Sequence, residues 1–103
     1  MGLPMKIRAT IKDGVTEVKV LMNHVMETGL RKDPSGELVP ALFINEVTAK
    51  LNDKVMMQAQ WGPAVARNPY LAFKFKGGNS GDKVSISWKD TSGDARTDET
   101  TIS

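Results

Sequence analysis

Cysteine is absent from this chain of 103 residues, and histidine occurs once. Thiolate catalysis, disulfide exchange and cysteine-ligated metals each need a sulfur nucleophile or ligand, so all three are excluded. No apolar run approaches the roughly 20 residues that a membrane span requires. Blocks of one charge sign are also missing. Lys and Arg are interleaved with Asp and Glu for a formal net charge of +2 and a pI near 9.0, which argues against the usual nucleic-acid footprint. Met1 to Lys6 lacks a basic segment followed by an apolar one, so no secretory signal is legible there, and on that ground alone the cytoplasm is expected. A chain with so little to do chemistry with is expected to act through its surface.

What is present is alternation. Ile7, Ala9 and Ile11 oppose Arg8, Thr10 and Lys12, a period of two that gives a strand one apolar and one charged face. Asp13-Gly14 turns the chain into a second strand with Val18, Val20 and Met22 on one side, and the two read as a hairpin. From Asn23 to Pro40 the pattern lapses among Gly29, Pro34, Gly36 and Pro40, with a short extended piece at Leu38 and Val39. A connection this long is usually functional or a crossover between sheets.

Alternation returns at Ala41 to Leu51, with Phe43, Val47, Ala49 and Leu51 together and Ile44 on the other side. After Asn52-Asp53 it continues through Val55, Met57, Ala59 and Trp61. Leu71, Phe73 and Phe75, then Val84, Ile86 and Trp88, mark two more strands, and Arg96 to Ile102 is polar enough for an edge. No window sustains a helical period. The expectation is one domain over residues 1–103: an all-β, immunoglobulin-like antiparallel β-sandwich of about seven strands. Its core is expected to include Ile11, Val18, Val20, Val47, Trp61, Phe73, Phe75, Ile86 and Trp88.

Few residues invite a chemical role. Met22, His24 and Met26 would share a face of an extended segment, a soft set suited to Cu(I), and an autonomous copper-binding sandwich is the alternative reading. Methionines at a strand end more commonly fill the core. His24 has no serine pattern beside it to suggest a nucleophile, so no catalytic residue, metal or cofactor is assigned. The Gly77 to Lys83 loop lacks the Lys-Ser/Thr ending and following helix of a phosphate loop. Lys74, Lys76, Lys83 and Lys89 would form a basic outer face if their two strands pair. A carbohydrate-binding sandwich would want exposed aromatics, and only Tyr70 clearly offers one. The turn at Arg67, Asn68, Pro69 and Tyr70 carries residue types that anchor interfaces.

Several stretches taken in order resemble one family. They are Leu21 to Asp33, with its His-x-Met-Glu-Thr-Gly-x-Arg-Lys-Asp run, Gln60-Trp61-Gly62-Pro63, Asn68 to Gly77, Gly81 to Val84 and Gly93 to Glu99. Together they are similar to SoxZ, a subunit of the sulfur-oxidation carrier complex, with Val25 standing where that family often has proline. The resemblance implies a non-catalytic β-sandwich that forms a heterodimer with SoxY, whose cysteine carries the sulfur intermediates of thiosulfate oxidation. It implies transient contacts with the other Sox enzymes, and neither nucleic acid nor membrane as partner. It also implies a periplasmic location reached by export with the partner, against the cytoplasmic expectation. The partner interface is expected where the resemblance is densest and the backbone irregular: His24, Met26, Glu27, Arg31, Lys32 and Asp33, together with Arg67, Asn68, Pro69 and Tyr70.

Overall fold

Two short turns of the same kind organise the chain. Asp13 and Gly14, at φ of 53° and 76°, join β1 (Lys6–Lys12) to β2 (Val15–Leu21), and both sit in the left-handed region that two-residue hairpin turns require. Asn52 and Asp53, at 46° and 73°, do the same between β3 (Ile44–Leu51) and β4 (Lys54–Gln60). The computed structural model describes residues 3–103. β5 (Tyr70–Lys76), β6 (Lys83–Asp90) and β7 (Ala95–Thr101) complete it.

The strands form two antiparallel sheets, in the orders β1-β2-β5 and β4-β3-β6-β7, the expected all-β sandwich with β7 at an edge. Val18, Val20, Val47, Ile86 and Trp88 are buried between them, with Ala9, Ile44, Ala49, Val84 and Ile102. Ile11, Trp61, Phe73 and Phe75 are half-buried and pack against this cluster, Phe73 stacking on Phe75. Burying a large aliphatic side chain is worth about 1.5–3 kcal/mol, so the centre of the sandwich supplies most of the driving force. Thr16, fully buried, donates its hydroxyl to the carbonyl of Gly77 at 2.7 Å. A Cβ on Gly78 would lie 2.7 Å from that hydroxyl, and φ there is +83°, so only glycine fits.

Two bulges shift the faces that strict alternation assigns. Between Ile44 and Glu46 the register against β6 slips, which turns Ile44 fully inward although alternation puts it outside. Between Lys50 and Ala49 the facing residues are Val55 and Met57, so Met56 is extra and Val55 turns out, 47% exposed. The four lysines also separate: β5 and β6 lie in different sheets, so Lys74 and Lys76 share no face with Lys83 and Lys89.

One side of the sandwich is stitched. The N–H of Met5 donates to Asp98 Oδ2 at 2.9 Å, the N–H of Ser103 to the carbonyl of Ala9 at 3.1 Å, and that of Ile11 to the carbonyl of Ser103 at 3.4 Å. Arg96 holds Asp98 through two nitrogens at 2.9 and 2.7 Å, and this pairing, with the Met5 bond, keeps the Asp98 carboxyl below its ordinary range.

Candidate interaction site at the 23–42 connection

The inward alternation of β2 does not stop at Leu21. Met22, His24 and Met26 are buried at 1%, 8% and 5% exposure, and Asn23 and Val25 point out. The Trp88 indole and the His24 ring meet in a T-shaped contact, with centroids 5.1 Å apart and planes at 88°. His24 Nδ1 accepts the N–H of Met26 at 3.0 Å, which places the ring proton on Nε2, 3.0 Å from Asp90 Oδ2. The other Asp90 oxygen accepts from the Ser92 N–H, the Ser92 hydroxyl and the Asp94 N–H at 3.0, 2.6 and 3.0 Å. Burial pushes the Asp90 carboxyl up, but the hydrogen bonds from Ser92, His24 and Asp94 outweigh it and hold the group below its ordinary value.

Both imidazole nitrogens are therefore spoken for. Met26 sits at φ 50°, a strained position for a long side chain, and its sulfur takes the N–H of Ile44 at 3.3 Å. With one nitrogen accepting and the other donating, the His24 ring has no free lone pair to offer either to a copper ion or to a proton to be abstracted. Among the described residues, no group of three or more His, Cys, Asp or Glu side chains could hold a metal ion.

Beyond this root the chain forms an arm. Glu27 and Leu42 exchange backbone hydrogen bonds at 2.6 and 3.0 Å, Val39 N–H bonds the Arg31 carbonyl at 2.7 Å, and Asp33 N–H bonds the Glu37 carbonyl at 2.8 Å. The expected loop is thus a loosely paired hairpin. Its tip is closed by Asp33, whose Oδ1 accepts the hydroxyl of Ser35 at 2.6 Å and the N–H groups of Ser35 and Glu37 at 3.0 Å. These bonds, that of the Ser35 hydroxyl foremost, lower the carboxyl's pKa. Extents of 53 × 21 × 20 Å and a radius of gyration of 15.4 Å exceed the ~13 Å of a compact domain this size.

The ten sequence-selected residues divide in two. His24, Met26 and Pro69 are buried, and Pro69 gives its carbonyl to the N–H of Met22 at 2.9 Å. Asn68 clamps the root, accepting the His24 N–H on its side chain at 3.1 Å and donating its own N–H to the His24 carbonyl at 2.9 Å. Glu27 binds Arg31 through Nε at 3.1 Å to each oxygen and Nη2 at 2.7 Å, with Arg67 Nη2 4.0 Å away. The Arg31 hydrogen bonds hold the Glu27 carboxyl low, and Glu27 in turn raises the pKa of Arg31. Arg31, Lys32, Arg67 and Tyr70 are exposed, Tyr70 at 61%.

Alternation and residue type alone passed over two groups. Leu30 and Leu38 are apolar yet 83% and 60% exposed on the arm, and an isolated leucine among turn residues was the only sign of them. Asp90 lies 66 residues from His24, and the Asp-x-Ser-Gly-Asp run around it signalled a turn but not its partner.

No curated protein matches the chain in sequence. Among solved structures, a variant of superoxide reductase (neelaredoxin) from Archaeoglobus fulgidus, in the reduced form, aligns with TM-score 0.58 and 18% identity over 97% of this chain and 86% of that one. At that identity the likeness is one of fold. Residues 5–101 match the family model described as sulphur oxidation protein SoxZ, so the chain belongs to the SoxZ family and its role lies in sulfur oxidation.

Proposed function

We propose that this chain is the non-catalytic subunit of a periplasmic carrier complex, pairing with a SoxY-like protein whose cysteine bears the sulfur being oxidised. Family membership supports the sulfur-oxidation setting. The chain itself has no cysteine, and the imidazole of its single histidine is engaged at both nitrogens, so it offers no atom on which a sulfur intermediate could ride. The partner supplies the thiol and this subunit supports its presentation to the enzymes.

The single observation that favours the arm as the contact is the exposure of Leu30 and Leu38 at 83% and 60%, on a projection whose root is locked into the core. Apolar side chains on a pre-shaped hairpin, with Arg31 beside them in sequence and the Arg67–Tyr70 turn clamped to the root, match the residue types that dominate interfaces and lower the ordering cost of binding. Calorimetric titration against the SoxY-like subunit tests this. Arg31→Ala and Tyr70→Ala are each expected to weaken association by ~1–3 kcal/mol, with the melting temperature of the free chain nearly unchanged. Unaltered affinity in both variants would move the interface off the arm and the adjoining turn.

A further inference from the structure

Alternation buries one side of β1, β2 and β5 and sends every second residue outward, and the pairing registers set these in rows. Lys6 stands opposite Leu21 and Leu21 opposite Tyr70, and the next row is Arg8, Lys19 and Ala72. Thr10, Glu17 and Lys74 follow, then Lys12, Val15 and Lys76. Six of the 14 cationic side chains and one of the 12 carboxylates thus stand on one small face. The remainder of the chain, with eight cations against eleven carboxylates, is net acidic. The larger sheet shows no such bias, since Glu46 and Lys50 share its outer surface and Lys83 pairs with Glu99 at 3.6 Å.

The fold carries a penalty for this arrangement. Arg8 and Lys19 are directly opposed, and like charges in that position repel. Glu17 reaches Lys19 at 3.6 Å and Lys74 at 3.7 Å, and among the described residues Lys6, Arg8, Lys12 and Lys76 have no carboxylate within ion-pair distance. The unanswered charge of Lys6 and Arg8 lies beside Lys19 where the sheet borders Leu21 and Tyr70, 43% and 61% exposed, in a shallow depression.

We propose that this end of the β1-β2-β5 outer face docks the acidic surface of a protein, one that sets carboxylates around an apolar contact. Charge complementarity names the sign of the partner, and the exposed Leu21, Tyr70 and Arg8 name its class, because aromatic, apolar and Arg side chains together mark protein interfaces. A phosphate track along the sheet would meet Glu17 at its centre and the net acidic remainder of the chain beyond it. Three strands spaced ~4.8 Å apart give a patch far smaller than the ~800 Å² a stable complex uses on each side, so the contact is brief and steered by charge. The surface is separate from the arm proposed to hold the carrier subunit. Tyr70 follows the turn that clamps the arm's root and is assigned to both contacts, and Arg8 belongs to the basic face alone.

The test is a nitrogen-15 titration of the full chain with a synthetic peptide of alternating Glu and Leu, with duplex DNA and phosphatidylglycerol vesicles run in parallel. The peptide is expected to bind, to shift the amides around Arg8, Lys19 and Leu21, and to weaken as salt rises. Arg8→Glu is expected to lower its affinity by about tenfold. The same change replaces a like-charged cross-strand pair with an opposite one, so the melting temperature holds or rises, and affinity for the SoxY-like subunit stays unchanged. Tighter binding of DNA or vesicles than of peptide, shifts confined to another face, self-association through these amides, or a peptide affinity indifferent to Arg8→Glu would each overturn the proposal.

Discussion

The connection between β2 and β3 is made of two halves that the chain treats in opposite ways. In its root, His24 and Met26 are buried, and every polar atom of the imidazole finds a partner across 66 residues of sequence in Asp90 or locally in Met26. In its arm, Leu30 and Leu38 stand in solvent and the ion pair of Glu27 with Arg31 is local, four residues apart. The root contributes to stability because its bonds are desolvated. The arm contributes less, because the Arg31 end of its ion pair stands in solvent and is screened there. Fixing the first half firmly is what permits the second to leave its leucines in solvent without cost to the fold.

Breaking the root gives the largest expected effect. Asp90→Ala removes four acceptor contacts and strands the His24 Nε2–H in the core, for a loss of roughly 1–3 kcal/mol measured by urea unfolding. A loss below ~1 kcal/mol would show that water satisfies these groups and that the root is not the anchor described.

Acid sharpens the same contrast with a smaller effect. The carboxyls of Asp90 and Asp98 titrate lower in the folded protein than unfolded, so their contribution is fully present above the ordinary Asp range near 3.8. It is lost as pH falls through the folded values, below that point. Wild-type stability followed from pH 6 downward should therefore hold until about pH 4 and then decline, and the decline should be shallower in Asp98→Asn. The smallest change in stability is expected in the arm, where Leu30→Ser with Leu38→Ser should move unfolding free energy by less than ~0.5 kcal/mol while weakening association with the SoxY-like subunit.

Much of the sandwich was legible because a period of two survives unbroken in β1, β2, β5, β6 and β7, and the Asp13-Gly14 and Asn52-Asp53 turns announce both hairpins. The bulges beside Asn45 and Met56 were not, since an inserted residue leaves the composition of a strand unchanged while reversing the faces beyond it. Ile44 and Val55 therefore lie on the sides opposite to those that counting assigns. At the site, the extended phase of Met22, His24 and Met26 was visible, whereas the carboxylate that captures His24 was not. The basic face was hidden for a related reason. Charges that look evenly mixed along the chain separate only when strands distant in sequence are laid side by side, and Lys74 joins Glu17 and Thr10 only through that register.

The stitched side of the sandwich has a consequence for synthesis. Met5 bonds Asp98 and Ser103 bonds Ala9 across 93 and 94 residues, so β1 cannot be sealed until Asp98 and Ser103 have been made. Contacts of such long range make folding slow, and the sheet edges wait unpaired in the meantime. Residues 27–42 close their own hairpin from local bonds and need not wait for that seam. The arm's own bonds can therefore form early in synthesis, whereas the root that fixes it waits for Asp90 and the seam waits for the last residues of the chain.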